Sequence, residues 1–377
     1  MALIGISDAG LPPPRGVALL ALGFRPFYLL AGAYAALTVP LWALQFAGWL
    51  PGVSLWWHAH EMLFGYTFAV IAGFLLTAVR AWTSHPTPTG AALAAMAALW
   101  IAARGLAPFS LLASSLVDAL FALAVAYGIG RPILASRNRN WYFIVFVLAL
   151  GAASVAFQAF PQLALRGGLD LVLLVVAIMA GRVIPGFTNN ALAEARARRI
   201  ALLENAALGS VVLLLACDLL EMPRAAAAAA LAGAFLHAAR AALWAPLRTR
   251  GRPILWILHL SYAWIVVHLA LRALAAFNVV PPGLATHALT VGVIGGLTLG
   301  MMTRTARGHT GRPLQAGRWE VAAYVLVHLA AFARVLIPLL LPDAYAVLVV
   351  VSGLLWSAAF AIFTVVYIPI LARWRAA

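Results

Sequence analysis

Trp57-His58-Ala59-His60-Glu61 stands at the edge of an apolar run, Met62 to Val79, and this juxtaposition decides how the chain is read. Two imidazoles and a carboxylate are costly at a membrane boundary, so a ligand or proton role is the first reading of the cluster. The run itself can cross a bilayer, since about 20 apolar residues in a helix span the hydrocarbon core. Comparable runs recur along all 377 residues, of which 65% are hydrophobic and only 9% charged. The expected class is all-α, a polytopic transmembrane helical bundle.

Reading outward between charged and Pro/Gly breaks gives about twelve spans, at 27–48, 58–79, 91–107, 109–130, 141–161, 168–188, 201–221, 224–246, 254–277, 285–306, 318–341 and 344–371. Only Pro108 separates the third from the fourth, so one kinked or re-entrant element is the alternative there. No segment between spans is long enough for a soluble domain. The chain reads as one integral membrane domain, 1–377, with 1–26 as a cytoplasmic N-terminal segment and 27–371 as the bundle. Met1 to Pro14 carries Asp8 and three prolines in place of a basic then apolar stretch, so a cleaved signal is not expected.

Short cytoplasmic loops accumulate basic residues, and the arginines orient the chain. One side collects Arg15, Arg25, Arg80, Arg131, Arg137, Arg139, Arg196, Arg198, Arg199, Arg248, Arg250, Arg252, Arg304, Arg307, Arg312, Arg318, Arg373 and Arg375; the other has Arg166 and Arg224. Both termini are therefore expected in the cytoplasm, with His58, His60 and Glu61 at the outer edge of span two. The net charge of +15 follows from this asymmetry, and with no basic domain present nucleic acid is excluded as a partner. The basic residues are all arginine, which together with the alanine runs reads most simply as a GC-rich coding bias.

At about 1.5 Å of rise per residue, His287 opens span ten at the level of His58 and His60. His268 lies in the outer half of span nine, one turn before Arg272. His328 falls near the middle of span eleven, His259 and His237 in the inner half, and His309 in the cytoplasmic loop. His259 and His268 are about 13 Å apart along one helix and on opposite faces, so they cannot share a metal. Successive positions of His-x-His are about 200° apart on a helix, so His58 and His60 face inward together only if the span starts at or after His60.

Several histidines beside a single cysteine, Cys217, suit copper or non-covalently held haem, since imidazole serves both and no Cys-x-x-Cys-His exists for covalent attachment. Zinc is less attractive without a carboxylate-rich shell. Taken singly, His237, His268 and His328 read more simply as helix-to-helix hydrogen-bonding residues; His268 and His328 are kept as additional candidate ligands on physical grounds alone. For Asp118, Arg104, Arg182, Arg240, Arg272 and Arg334, mutual pairing or snorkelling is the plain account and contact with haem propionates the alternative. Gly292, Gly296 and Gly300 imply close helix packing.

The chain also resembles a known family. Gly23-Phe24-Arg25-Pro26-Phe27, Trp57 to Gly65 and Ala72-Gly73-Phe74-Leu75-Leu76-Thr77-Ala78-Val79 are similar to the opening blocks of the NnrS family. Gly181-Arg182-Val183-Ile184-Pro185-Gly186-Phe187-Thr188, and His287 to Gly292 through Met302-Thr303-Arg304 to Gly308-His309-Thr310-Gly311-Arg312-Pro313-Leu314, are similar to its later blocks. The likeness runs from about residue 18 to 340. It implies a twelve-span bacterial inner-membrane protein with haem b and copper, in the nitric oxide response associated with denitrification or nitrosative stress. The blocks carry this over to His58, His60, Glu61, Arg182, His259, His287, Arg304, His309 and Arg312. One departure is Arg80-Ala81-Trp82-Thr83-Ser84-His85-Pro86, where the family has Pro-x-Trp-Thr-Gly.

The first functional expectation is redox chemistry on nitric oxide at an outer metal held by His58, His60 and His287, with Glu61 as the catalytic proton group. An inner haem at His259 would relay electrons from a donor that the sequence does not name, with Arg182, Arg304, His309 or Arg312 at its propionates. The chain lacks the adjacent His-His pair and six-histidine arrangement expected of haem-copper oxidases. Binding or transport of haem, copper or a metal-nitrosyl, and assembly or signalling in response to nitric oxide, are the alternatives; no sensor output domain is present.

Overall fold

The structure is a computed structural model that describes residues 17–50, 52 and 54–374; the expectations for Met1 to Pro14, Arg15 and Arg375 lie outside the described residues. Twelve helical rods occupy the twelve expected positions: α1 Phe24–Phe46, α2 Leu55–Thr83, α3 Gly90–Leu106, α4 Leu111–Ala135, α5 Tyr142–Ala156, α6 Pro161–Ala191, α7 Ala201–Leu219, α8 Pro223–Ala242, α9 Pro253–Ala275, α10 Pro282–His309, α11 Arg318–Leu340 and α12 Tyr345–Ala372. Ten are long and apolar enough to cross a membrane; α3 and α5, of 17 and 15 residues, are shorter. The third and fourth expected spans are two separate helices rather than one kinked element. Among the described residues there is no strand.

Local chemistry sets the helix starts. Ser54 and Ser110 cap α2 and α4 by accepting from the backbone N–H of Trp57 and Ala113. Proline opens α6, α8, α9 and α10, where its missing N–H leaves no intrahelical bond unmade. Because the Ser54 cap starts α2 at Leu55, three residues before His58, both histidines of His-x-His lie on helix.

The rods form three groups of four, α1–α4, α5–α8 and α9–α12. The last helix of each group packs on the first of the next, α4 on α5, α8 on α9, and α12 back on α1, so the groups close into a ring. The first helix of each group also touches the second helix of the group before it: α1 meets α10, α5 meets α2, and α9 meets α6. Sequence register supports the repeat between the first and third groups. Arg25-Pro26, His60, Gly65, Gly73, Arg80, Thr83, Pro86 and Gly90 recur as Arg252-Pro253, His287, Gly292, Gly300, Arg307, Thr310, Pro313 and Gly317, at one constant spacing. Thr83 and Thr310 donate back to the carbonyls of Val79 and Ala306, and each is followed by a left-handed residue, Ser84 (φ 57°) or Gly311 (φ 74°). In both α2 and α10 six α-helical residues ending in histidine lead into a π-helical stretch, Glu61–Thr67 or Ala288–Gly295. Such widened turns concentrate at functional positions.

Candidate functional site

The start of α2 sends its two histidines to different neighbours, as a 200° separation requires. His58 stacks on Trp42 of α1, with ring centroids 4.2 Å apart and planes 18° from parallel. It comes within electrostatic reach of His287 on α10 and Arg334 on α11. The Nδ1 of His58 is buried without a hydrogen-bond partner. His287 holds its own Nδ1 against the Gly283 carbonyl at 2.7 Å, which puts the proton there and leaves the Nε2 lone pair for a ligand. Arg334, 5% exposed, has Tyr345 of α12 as its polar neighbour, with the hydroxyl 2.9 Å from Nη1.

His60 faces the opposite way, into a buried polar network between α2, α3, α4 and α5. Its Nδ1 lies 2.8 Å from Glu61 Oε1, and its Nε2 lies 2.9 Å from Ser115 Oγ and 3.1 Å from Ser154 Oγ. Glu61 Oε2 accepts from Tyr34 of α1 in a short contact and from Arg104 Nη1 at 2.8 Å. Arg104 also pairs with Asp118, to which Ser154 donates at 3.3 Å. Exposed Gln158 donates to Ser115 at 2.9 Å, so an unbroken hydrogen-bonded chain links the bundle surface to Glu61 and Tyr34. Gly65 makes room for the guanidinium: a Cβ there would lie 2.5 Å from Arg104 Nη1.

His60 is thus near His58 in sequence but not in its company, and both of its ring nitrogens already have protein partners. Among the described residues no group of three or more His, Cys, Asp or Glu is placed to hold a metal. The expected trio is, in place, a pair, His58 with His287, beside a separate proton-bearing network.

A second charge cluster lies at the same end, between the second and third groups. Arg272 of α9 bridges Asp170 of α6, at 3.0 Å, and Asp218 of α7. His268, one turn earlier, bonds the Ala285 carbonyl through Nδ1 at 2.8 Å and keeps a buried, unpartnered Nε2.

At the other end, His259 Nε2 meets Thr188 Oγ1 at 2.9 Å, and the guanidinium of Arg304 lies 3.8 Å over the ring of neighbouring Phe187. The end of α6 therefore brings His259 and Arg304 together. Arg182 is held instead by Asn140 and Tyr142 near α5, His309 packs on Phe24 of α1, and Arg312 reaches back to the Thr310 carbonyl. His328 is engaged at both nitrogens, by Ser261 at 3.4 Å and by the Trp264 indole N–H at 3.3 Å. His237 likewise bonds Tyr262 and the Ala207 carbonyl. In the turn that departs from the family pattern, exposed His85 folds its Nδ1 onto the Thr83 carbonyl.

Sequence reasoning missed Tyr34, Ser115, Ser154, Gln158, Trp42 and Tyr345. A single hydroxyl or indole in an apolar run leaves no periodic trace. The available signal was the internal repeat, which pairs His60 with His287 and marks both helix starts as special.

Fold and site together define a multi-pass membrane protein whose imidazoles, carboxylates and guanidinia are gathered into buried clusters. A sequence profile described as NnrS protein matches residues 18–375, nearly the whole chain, and the protein belongs to the NnrS family, membrane proteins related to the nitric oxide response. No curated protein matches it.

Proposed function

We propose that the protein carries out redox chemistry on nitric oxide at a histidine-held metal at the His58 end of the bundle. The observation that carries this is the approach of His58 to His287 within electrostatic reach, each with an available ring nitrogen, in the opening turns of two helices that then become π-helical. These residues fit a metal that takes imidazole ligands, copper or haem iron; His60 could join them only by leaving Glu61 or the serines. The bound metal would exchange electrons with nitric oxide. The chain's own contribution is to exclude water, fix both imidazoles, and hold protons at Glu61, passed in through Ser115 and His60, with the Gln158 amide holding the Ser115 hydroxyl in place. Nitric oxide is small and neutral and partitions into bilayers, so the site needs no polar channel for it.

At the opposite end, a non-covalent haem b would be held by His259 as imidazole ligand, with the Arg304 guanidinium as the cation for its carboxylates; Arg182, His309 and Arg312 hold other contacts. Arginine asymmetry favours both termini in the cytoplasm of a bacterial inner membrane, with His58 outward. The test is an optical spectrum of purified protein, oxidised and dithionite-reduced, with a metal count, followed by a nitric oxide electrode on reduced membranes. Consumption no faster than in membranes lacking the protein, with metals and electrons present, would overturn the redox reading.

A further inference from the structure

The guanidinium of Arg334 is buried at the His58 end with no acidic side chain among the described residues to balance it. Its situation differs from that of the other deeply buried arginines. Arg104 lies between Glu61 and Asp118, Arg240 pairs with Glu204, and Arg25 donates to the Leu371 and Arg373 carbonyls at the negative end of α12. Arg334 instead has a phenol, Tyr345, whose ring also lies 5.0 Å from the guanidinium carbon, and two imidazoles. No carboxylate among the described residues pairs with it. A cation kept from water without a counter-charge is expensive, and a bound anion removes that expense.

A second observation points the same way. His58 Nδ1 is buried and unpartnered, on a ring that Trp42 fixes in orientation. In the tautomer with hydrogen on Nδ1 it is a donor without an acceptor, its Nε2 being then the nitrogen left for a metal, near a guanidinium whose planar fork matches an oxyanion. We propose that the cluster of Trp42, His58, His287, Arg334 and Tyr345 binds a small monovalent oxyanion of nitrite's size, held by Arg334 and His58. The excess positive charge persists with or without the metal of the proposed function, because a metal cation at His58 and His287 only adds to it. Nitrite differs from nitric oxide by one oxygen atom and one electron's oxidation, so this site would put the anion where the proposed redox chemistry happens.

An oxyanion could also come from a phospholipid headgroup, and the experiment separates the two sources. The full chain, stripped of metal and held in phosphate-free detergent, is titrated with sodium nitrite by calorimetry and examined by native mass spectrometry. Saturable nitrite binding is expected, weakened at least tenfold in Arg334→Gln, less in Arg334→Lys, and also weakened in His58→Phe. Arg224→Gln, at an exposed arginine, should bind like the wild type. If Arg334→Gln does not fold, Arg334→Lys and His58→Phe decide the matter. No saturable binding by the wild type, or unchanged binding in the folded variants, overturns the proposal. So does one retained phospholipid that nitrite fails to displace and that the Arg334 variants lose. Because neither metal nor nitric oxide is used, failure here leaves the redox reading standing, and the electrode result leaves this one standing.

Discussion

A carboxylate in the bilayer has to be neutralised, and Glu61 is balanced by Arg104, by His60 and by the Tyr34 hydroxyl. Glu61→Gln keeps shape and hydrogen bonding but removes the titratable group. It should leave the metal content unchanged and slow nitric oxide consumption at the electrode. Because Asp118 still faces Arg104, the stability loss should be modest, about 1–3 kcal/mol. Arg104→Met strands two buried carboxylates instead, and about 3–5 kcal/mol is expected, read as a lower unfolding temperature in detergent. His58→Ala should deplete one metal, whereas His259→Ala should alter a separate centre. Equal loss of the same metal in both variants would refute two sites. Which of these residues share a site was only partly legible in the sequence. The 200° geometry of His-x-His was, but the start of α2 at Ser54, which decides that the rings part, depends on one side-chain cap. Tyr34, Ser115 and Ser154 reach His60 and Glu61 from other helices, and no local pattern announces them.

At the level of elements, the apolar runs located all twelve helices because arginine, proline and glycine punctuate them sharply. The π-helical turns were not foreseeable, since α and π segments share the same apolar composition. The close contacts they accompany can be tested at glycine. Gly65→Ala on α2 should push Arg104 from its place and lower the unfolding temperature. Gly105→Ala on α3, with nothing within 4 Å of the added methyl, should leave it unchanged or raise it by the equivalent of about 0.5–1 kcal/mol of helix propensity. Equal effects at the two positions would remove Gly65 as the support of the buried network.

For the whole molecule, the testable quantity is orientation. An alkaline phosphatase fused after Trp49 should be active, and one fused after Arg137 or Arg250 inactive; the reverse pattern would turn His58 to the cytoplasm and end the outer-site reading. The ring of three groups was hidden because only the first and third keep a recognisable register, while the second meets the third through the cluster of Asp170, Asp218 and Arg272.

The packing of α12 on α1, with Arg25 held by the last carbonyls of α12, brings the two ends of the helical path side by side. The order of the groups along the chain is then a matter of connectivity rather than of assembly. A gene rearranged so that translation begins at α9, runs through α12 into a short linker and on to α1, and stops after α8 would shift the start by eight helices. Eight is even, so every helix would enter the membrane in its present direction. Such a circular permutant should insert and keep the His58–His287 pairing, with His287 now made before His58.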